Sequence, residues 1–100
     1  MEGGASISND IVAGYAADAA REVNGVRGLV ESRLHRHRGV RVNGERGAVR
    51  LEVHLETEWG ASIPDVAREV QRRVGDYLAR MADVEAEAVD VVVDDVGPAA

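Results

Sequence analysis

Three histidines, His35, His37 and His54, are the residues of this chain best suited to metal chemistry, because three imidazoles make the ligand set of a zinc site. On an extended chain His35 and His37 would share one face. Arg33, Arg36 and Arg38 surround them, however, and their positive charge opposes a dication. Solvated histidines are therefore the expected reading, with no metal or other cofactor assigned. Glu52, Glu56 and Glu58 recur on one face of a period-two pattern, and paired acids can do proton transfer. They alternate with Arg50 and His54, and nothing in the pattern buries them to raise a pKa. The chain has no cysteine, which excludes thiol catalysis, disulfides and cysteine-based zinc sites. No catalytic residue is assigned, and the expectation is a protein that is not an enzyme.

A second kind of chemistry is ionic. Arginines 27, 33, 36, 38, 41 and 46 stand against only Glu31 and Glu45 across that span. From Asp83 to Asp95 the chain carries acids at 83, 85, 87, 90, 94 and 95 and no base. The net charge of −6 argues against general nucleic-acid binding, which relies on basic surface. The local basic segment leaves two uses open. One is phosphate contact in a small RNA- or DNA-binding domain, for which Trp59, Tyr15 and Tyr77 are the available stacking residues, although no GxxG loop opens a helix. The other is contact with an acidic protein surface, including that of a second copy; pairing of the two segments inside one molecule stands beside it.

The elements that must hold these groups follow from periodicity. One hundred residues, 45% apolar, make one domain with one modest core, built from Val, Leu, Ile and Ala because only three residues are aromatic. Residues 1–6 read as a flexible tail and 97–100 as a frayed end, leaving 7–96 as the domain. A first helix is expected from Asn9 to Asn24, capped by Ser8, with Ile11, Tyr15, Ala16, Ala19, Ala20 and Val23 inward. Ile7 and Val12 have hydrophobic-staple spacing around that cap. A strand from Val26 to Leu34, a restart at Val40 and a hairpin loop from Asn43-Gly44 through Gly47 lead into the longest alternating run. Val49, Leu51, Val53, Leu55, Thr57 and Trp59 should face the core, and Arg50, Glu52, His54, Glu56 and Glu58 should face water. Gly60 switches the period to helical, giving a second helix from Ile63 to Ala82 with Ser62 as cap and Pro64 in its first turn. A valine-rich strand from Ala86 to Val96 closes the chain, Val89, Val91 and Val93 on one face and Val92 and Val96 on the other. The order α-β-β-β-α-β predicts an α+β two-layer sandwich, two amphipathic helices on one face of a largely antiparallel sheet. No apolar run approaches the ~20 residues that span a bilayer, and the reading is cytoplasmic, with membrane association only through a partner.

In order along the chain stand Gly25-Val26 after an alanine-rich helix, Gly39-Val40-Arg41-Val42, the alternating strand closing on Trp59-Gly60, Ile63-Pro64-Asp65-Val66-Ala67, Val70-Gln71-Arg72-Arg73-Val74 and Val89-Asp90-Val91-Val92-Val93. This series resembles the alkaline shock proteins, the envelope stress response proteins of Gram-positive bacteria, over residues 7–96. Two departures are a short segment between Val26 and Gly39 and Asp83 where a helix-ending glycine is expected. The resemblance implies a non-enzymatic stress-associated scaffold or adaptor that self-associates and can be held beneath the membrane by a small membrane protein with a related domain. It brings no catalytic residues. The interface candidates are Arg33, Arg36, Arg38 and Arg41 on one side and Asp90, Asp94 and Asp95 on the other.

Overall fold

The computed structural model describes residues 8–31, 38–45 and 47–98. The tail 1–6, Ile7 of the expected staple, Arg33, His35, Arg36, His37, the end of the expected first strand at 32–34 and the last two alanines lie outside the described residues. Six elements run in the expected order: α1 Asn9–Arg21, β1 Val26–Leu29, β2 Val40–Glu45, β3 Ala48–Glu58, α2 Ile63–Ala82 and β4 Glu85–Gly97. The molecule is an α+β two-layer sandwich with both helices on one face of the sheet.

Caps set the helix positions. Ser8 Oγ accepts from the Ile11 N–H at 3.3 Å and Ser62 Oγ from the Asp65 N–H at 3.4 Å, each satisfying one orphan donor of a first turn. At the far end of α2, Asp83 takes φ 54°, ψ 41°, and both it and Val84 donate to the Leu78 carbonyl. This is the left-handed termination that glycine normally provides. An L-residue with a Cβ is strained there, aspartate less than most. Asp83→Gly is therefore expected to raise the unfolding free energy by about 0.5–1 kcal/mol, readable as a higher urea midpoint at unchanged slope.

Strand β3 is the centre of the sheet. The residues of β2 pair antiparallel with its first half, from Glu45↔Ala48 to Val40↔Val53, and β1 pairs antiparallel with its second half, from Leu29↔Leu55 to Val26↔Thr57. Thus β1 and β2 share one side of β3, and β4 occupies the other. Two of the three pairings are antiparallel, as expected, but the longest, β3 with β4, is parallel. The reason is connectivity: α2 carries the chain back along the helical layer, so β4 starts beside the start of β3. The hairpin is tighter than expected, because β2 keeps pairing through Gly44↔Val49 to Glu45↔Ala48.

The core is thin and aliphatic. Val49, Leu51, Val53, Leu55 and Thr57 of β3 face Val12, Ala13, Ala16, Ala17 and Ala20 of α1 and Val66, Val70, Val74 and Leu78 of α2. The buried stripe of α1 differs from the expected one. Ile11 is exposed, and Val12, Ala13 and Ala17 are buried in its stead. With so many alanines, several faces of α1 are apolar, and the structure selects the one that lets the helix approach the sheet most closely. Tyr15 and Tyr77 meet edge to face, ring centroids 5.8 Å apart, across the α1–α2 seam.

Two further expectations are corrected on β3 itself. Trp59, placed in the inner set by alternation, is 69% exposed, because β3 ends at Glu58 and the turn swings the indole out. His54, placed on the wet face, is only 8% exposed. On β4 the parallel register jumps from Val49↔Ala86 to Arg50↔Ala88 and from Leu55↔Val93 to Glu56↔Asp95, so Glu87 and Asp94 are extra, bulged residues. The second bulge moves Val96 beside Thr57, reversing the side expected for it, and β4 runs on to Gly97.

Candidate interaction surface

His54 organises the open face of the sheet. Its backbone sits where β1 gives way to β2: its carbonyl accepts from the Val30 N–H and its own N–H donates to the Gly39 carbonyl, both at 2.9 Å. Its Nδ1 lies 2.9 Å from Asp94 Oδ2 and its Nε2 3.3 Å from Glu52 Oε1. Asp94 is the bulged residue, and the inserted residue is what brings its carboxylate over the ring two strands' width from β2. Arg41, opposite Glu52 in the β2–β3 register, places its guanidinium 4.0 Å from the same carboxylate. A chain of polar contacts, Arg41, Glu52, His54 and Asp94, therefore crosses the face from β2 to β4.

The expected basic group is divided between two surroundings. Arg38 leaves the sheet and donates to Asp18 Oδ1 of α1 at 2.6 Å, where Arg21 also pairs at 2.9 Å. Arg41 stays on the open face, 57% exposed. Arg33 and Arg36 lie outside the described residues. On the acidic side, Asp90 is exposed, Asp94 holds His54, and Asp95 Oδ1 accepts from the Val96 N–H at 2.8 Å. Arg41 is separated from Asp90, Asp94 and Asp95 because β3 lies between the strands that carry them, and Arg38 is turned to Asp18 of α1. The sheet thus has arginine along its β2 side and carboxylates along β4. Register also sets acid beside acid: Glu52 opposite Asp90 and Glu56 opposite Asp95. Like charges directly opposite one another on adjacent strands destabilise a sheet.

Both edges carry a cap from the helix above them. Gln71 Nε2 of α2 donates to the Val89 carbonyl of β4 at 3.0 Å, and Asn9 Nδ2 of α1 reaches the Val42 carbonyl of β2 at 3.5 Å. Val42 and Val89 are both partners of Leu51, so one row of the sheet is closed at its two ends by side-chain amides. Periodicity carried no signal for these caps, since Gln71 reads as an ordinary solvent-facing helix residue.

The helical side carries ionic pairs rather than a reaction centre. A cleft of about 720 Å³ between the helices is lined by Asp18, Glu22, Arg72, Arg73, Tyr77 and Arg80 among others. Glu69 accepts from Arg72 at 2.6 Å and from Arg73 at 2.9 Å, and these hydrogen bonds, Arg72 first, hold its carboxyl below the usual carboxylate range. Such exposed pairs contribute little to stability. Among the described residues, no group of three or more His, Cys, Asp or Glu side chains is placed to hold a metal ion. Among the same residues, no helix is long and apolar enough to cross a membrane.

Comparison with known proteins places this architecture. Solved structures with a similar fold include a histidine-to-alanine variant of MamM-CTD, at TM-score 0.58 and 16% identity, covering 88% of this chain and 98% of that one. A manganese form of a MamM CTD variant superposes at TM-score 0.57 and 17% identity over 88% and 99% of the two chains. A zinc form matches at TM-score 0.54 and 16% identity over 89% and 84%. At these identities the likeness is one of fold. No curated protein matches the chain. A family profile does, across residues 1–98, nearly the whole sequence and every element described above. The chain belongs to the alkaline shock protein 23 family, whose function is cell envelope-related.

Proposed function

We infer that this chain is a non-enzymatic scaffold or adaptor of the envelope stress response, acting by self-association and by binding a membrane-anchored partner from the cytoplasmic side. The observation that carries the reading is the separation of charge by β3. Arg41 lies to one side of β3 and the β4 carboxylates Asp90 and Asp95 to the other, so these groups meet only between molecules. A surface that is basic at one edge and acidic at the other fits a second copy head to tail, and a heterologous contact of this kind builds rings or filaments. Membership of an envelope-related family supports the cellular setting. The nucleic-acid reading has less support: Arg38 is engaged by Asp18, and the exposed Trp59 lies beyond the far end of β3 from Glu52, the partner of Arg41.

Ionic self-association predicts a salt response. Light scattering of the full chain should show the hydrodynamic radius falling as salt rises to ~0.5 M, where the Debye length is only a few ångströms. Because Arg38 serves α1, the charge reversal that isolates the interface is Arg36→Glu with Arg41→Glu. The double variant should sediment as a smaller species than the parent at low salt. A salt-independent radius together with an unchanged sedimentation profile would count against the proposal.

A further inference from the structure

We propose that the free edge of β4, in the short window around Val91 and Val93, takes up an extended segment of a partner protein in which basic and aliphatic residues alternate. The inference deepens the adaptor reading and rests on it in that the chain works by docking.

Among the described residues β4 pairs only with β3, so its other edge has no strand beside it. That edge is not open throughout. Gln71 takes the Val89 carbonyl, which marks Val89 as turned outward, and Asp95 takes the N–H of Val96 beyond the second bulge. Backbone groups alternate in direction along a strand, so Val91 and Val93 are turned outward between these two caps. Four backbone groups then remain for an added strand of about five residues, the length at which strands commonly pair.

Side chains define the occupant. On the helical face Val89, Val91 and Val93 are half-buried against the core and would be covered further by aliphatic residues alongside. On the open face the window is flanked by Asp90 and Asp94, with Asp95 just beyond, and β4 has five acids and no base. Two of these acids already lie beside acids of β3, Asp90 by Glu52 and Asp95 by Glu56, so a cation here relieves an existing repulsion. A second β4 strand would bring five more carboxylates and is excluded on the same ground. A segment alternating Arg or Lys with Val or Ile satisfies the backbone, the aliphatic face and the charge together.

The test is fluorescence anisotropy of a labelled, acetylated eight-residue Arg/Val alternating peptide with the full chain at low salt. Binding is expected, and the Glu/Val counterpart should not bind. Replacing one central valine of the peptide by proline keeps its charge but removes an N–H, and should weaken binding about tenfold. Asp90→Lys in the protein should also weaken it about tenfold. If that variant does not fold, Asp90→Asn reads the same contact with a loss of about threefold. Absence of binding up to ~1 mM peptide, or equal binding after either the proline or the Asp90 change, overturns the proposal. Sedimentation of the chain without peptide reports on self-association alone, so failure of one reading is separable from failure of the other.

Discussion

Leu55→Ala should lower the unfolding free energy by about 3–4 kcal/mol. Leu55 is fully buried, and it is the one β3 residue in register with both Leu29 of β1 and Val93 of β4. Removing three carbons there takes away the transfer free energy of the side chain and leaves a cavity between sheet and helices. The neighbours on α1 are mainly alanines, which have no rotamers with which to fill it, so the site cannot collapse. Against a total stability of about 5–15 kcal/mol for a domain of this size, the loss is a large fraction. Urea unfolding followed by circular dichroism measures it. A cost below about 1 kcal/mol would mean that Leu55 does not sit in a close-packed core.

Gly39→Ala should be nearly as damaging, by about 2–4 kcal/mol, through the backbone instead of the core. Gly39 has φ 86°, and a Cβ there would stand 2.8 Å from the Val30 carbonyl oxygen and 3.0 Å from the His54 carbonyl oxygen. Neither obstacle is a side chain that can rotate away: both are backbone carbonyls, and that of His54 accepts the Val30 N–H that ties the end of β1 to β3. Arg38 immediately before it also has positive φ, 59°, so the chain re-enters the sheet through two left-handed residues in succession. The variant should lose hydrogen-exchange protection first at Val30 and His54, the two amides of that junction. Uniform loss across the sheet, or a cost under about 0.5 kcal/mol, would contradict this account.

Much of the architecture was legible because it depends on period. Alternation from Val49 to Thr57 and the helical spacing after Gly60 gave β3, α2 and the inner face, and Ser8, Ser62 and Asn43-Gly44 marked starts and a turn. The direction of β4 was not legible, since Val89, Val91 and Val93 alternate identically in a parallel or an antiparallel pair. The bulges escaped for a related reason: β4 has 13 residues against 11 in β3, and no pattern in either strand says where the two extra ones sit. His54 follows from them, because alternation sent it to solvent whereas the inserted Asp94, with Glu52, lies against the ring. Of the candidate surface, the charge bias of the two segments was plain from the residues. Their separation by β3 required the strand order, and the engagement of Arg38 by Asp18 required the position of α1.

The closed row Val42–Leu51–Val89 bears on what kind of material this protein can form. Sheet growth from copy to copy through this row would have to displace Asn9 at one end and Gln71 at the other for each molecule added, at about 1 kcal/mol per bond. Open-ended cross-β stacking is thereby handicapped at every step, while contacts between charged side chains are not. An assembly built on the proposed charged contacts would stay one that dilution or salt can take apart, with the two helix amides as its safeguard against setting irreversibly.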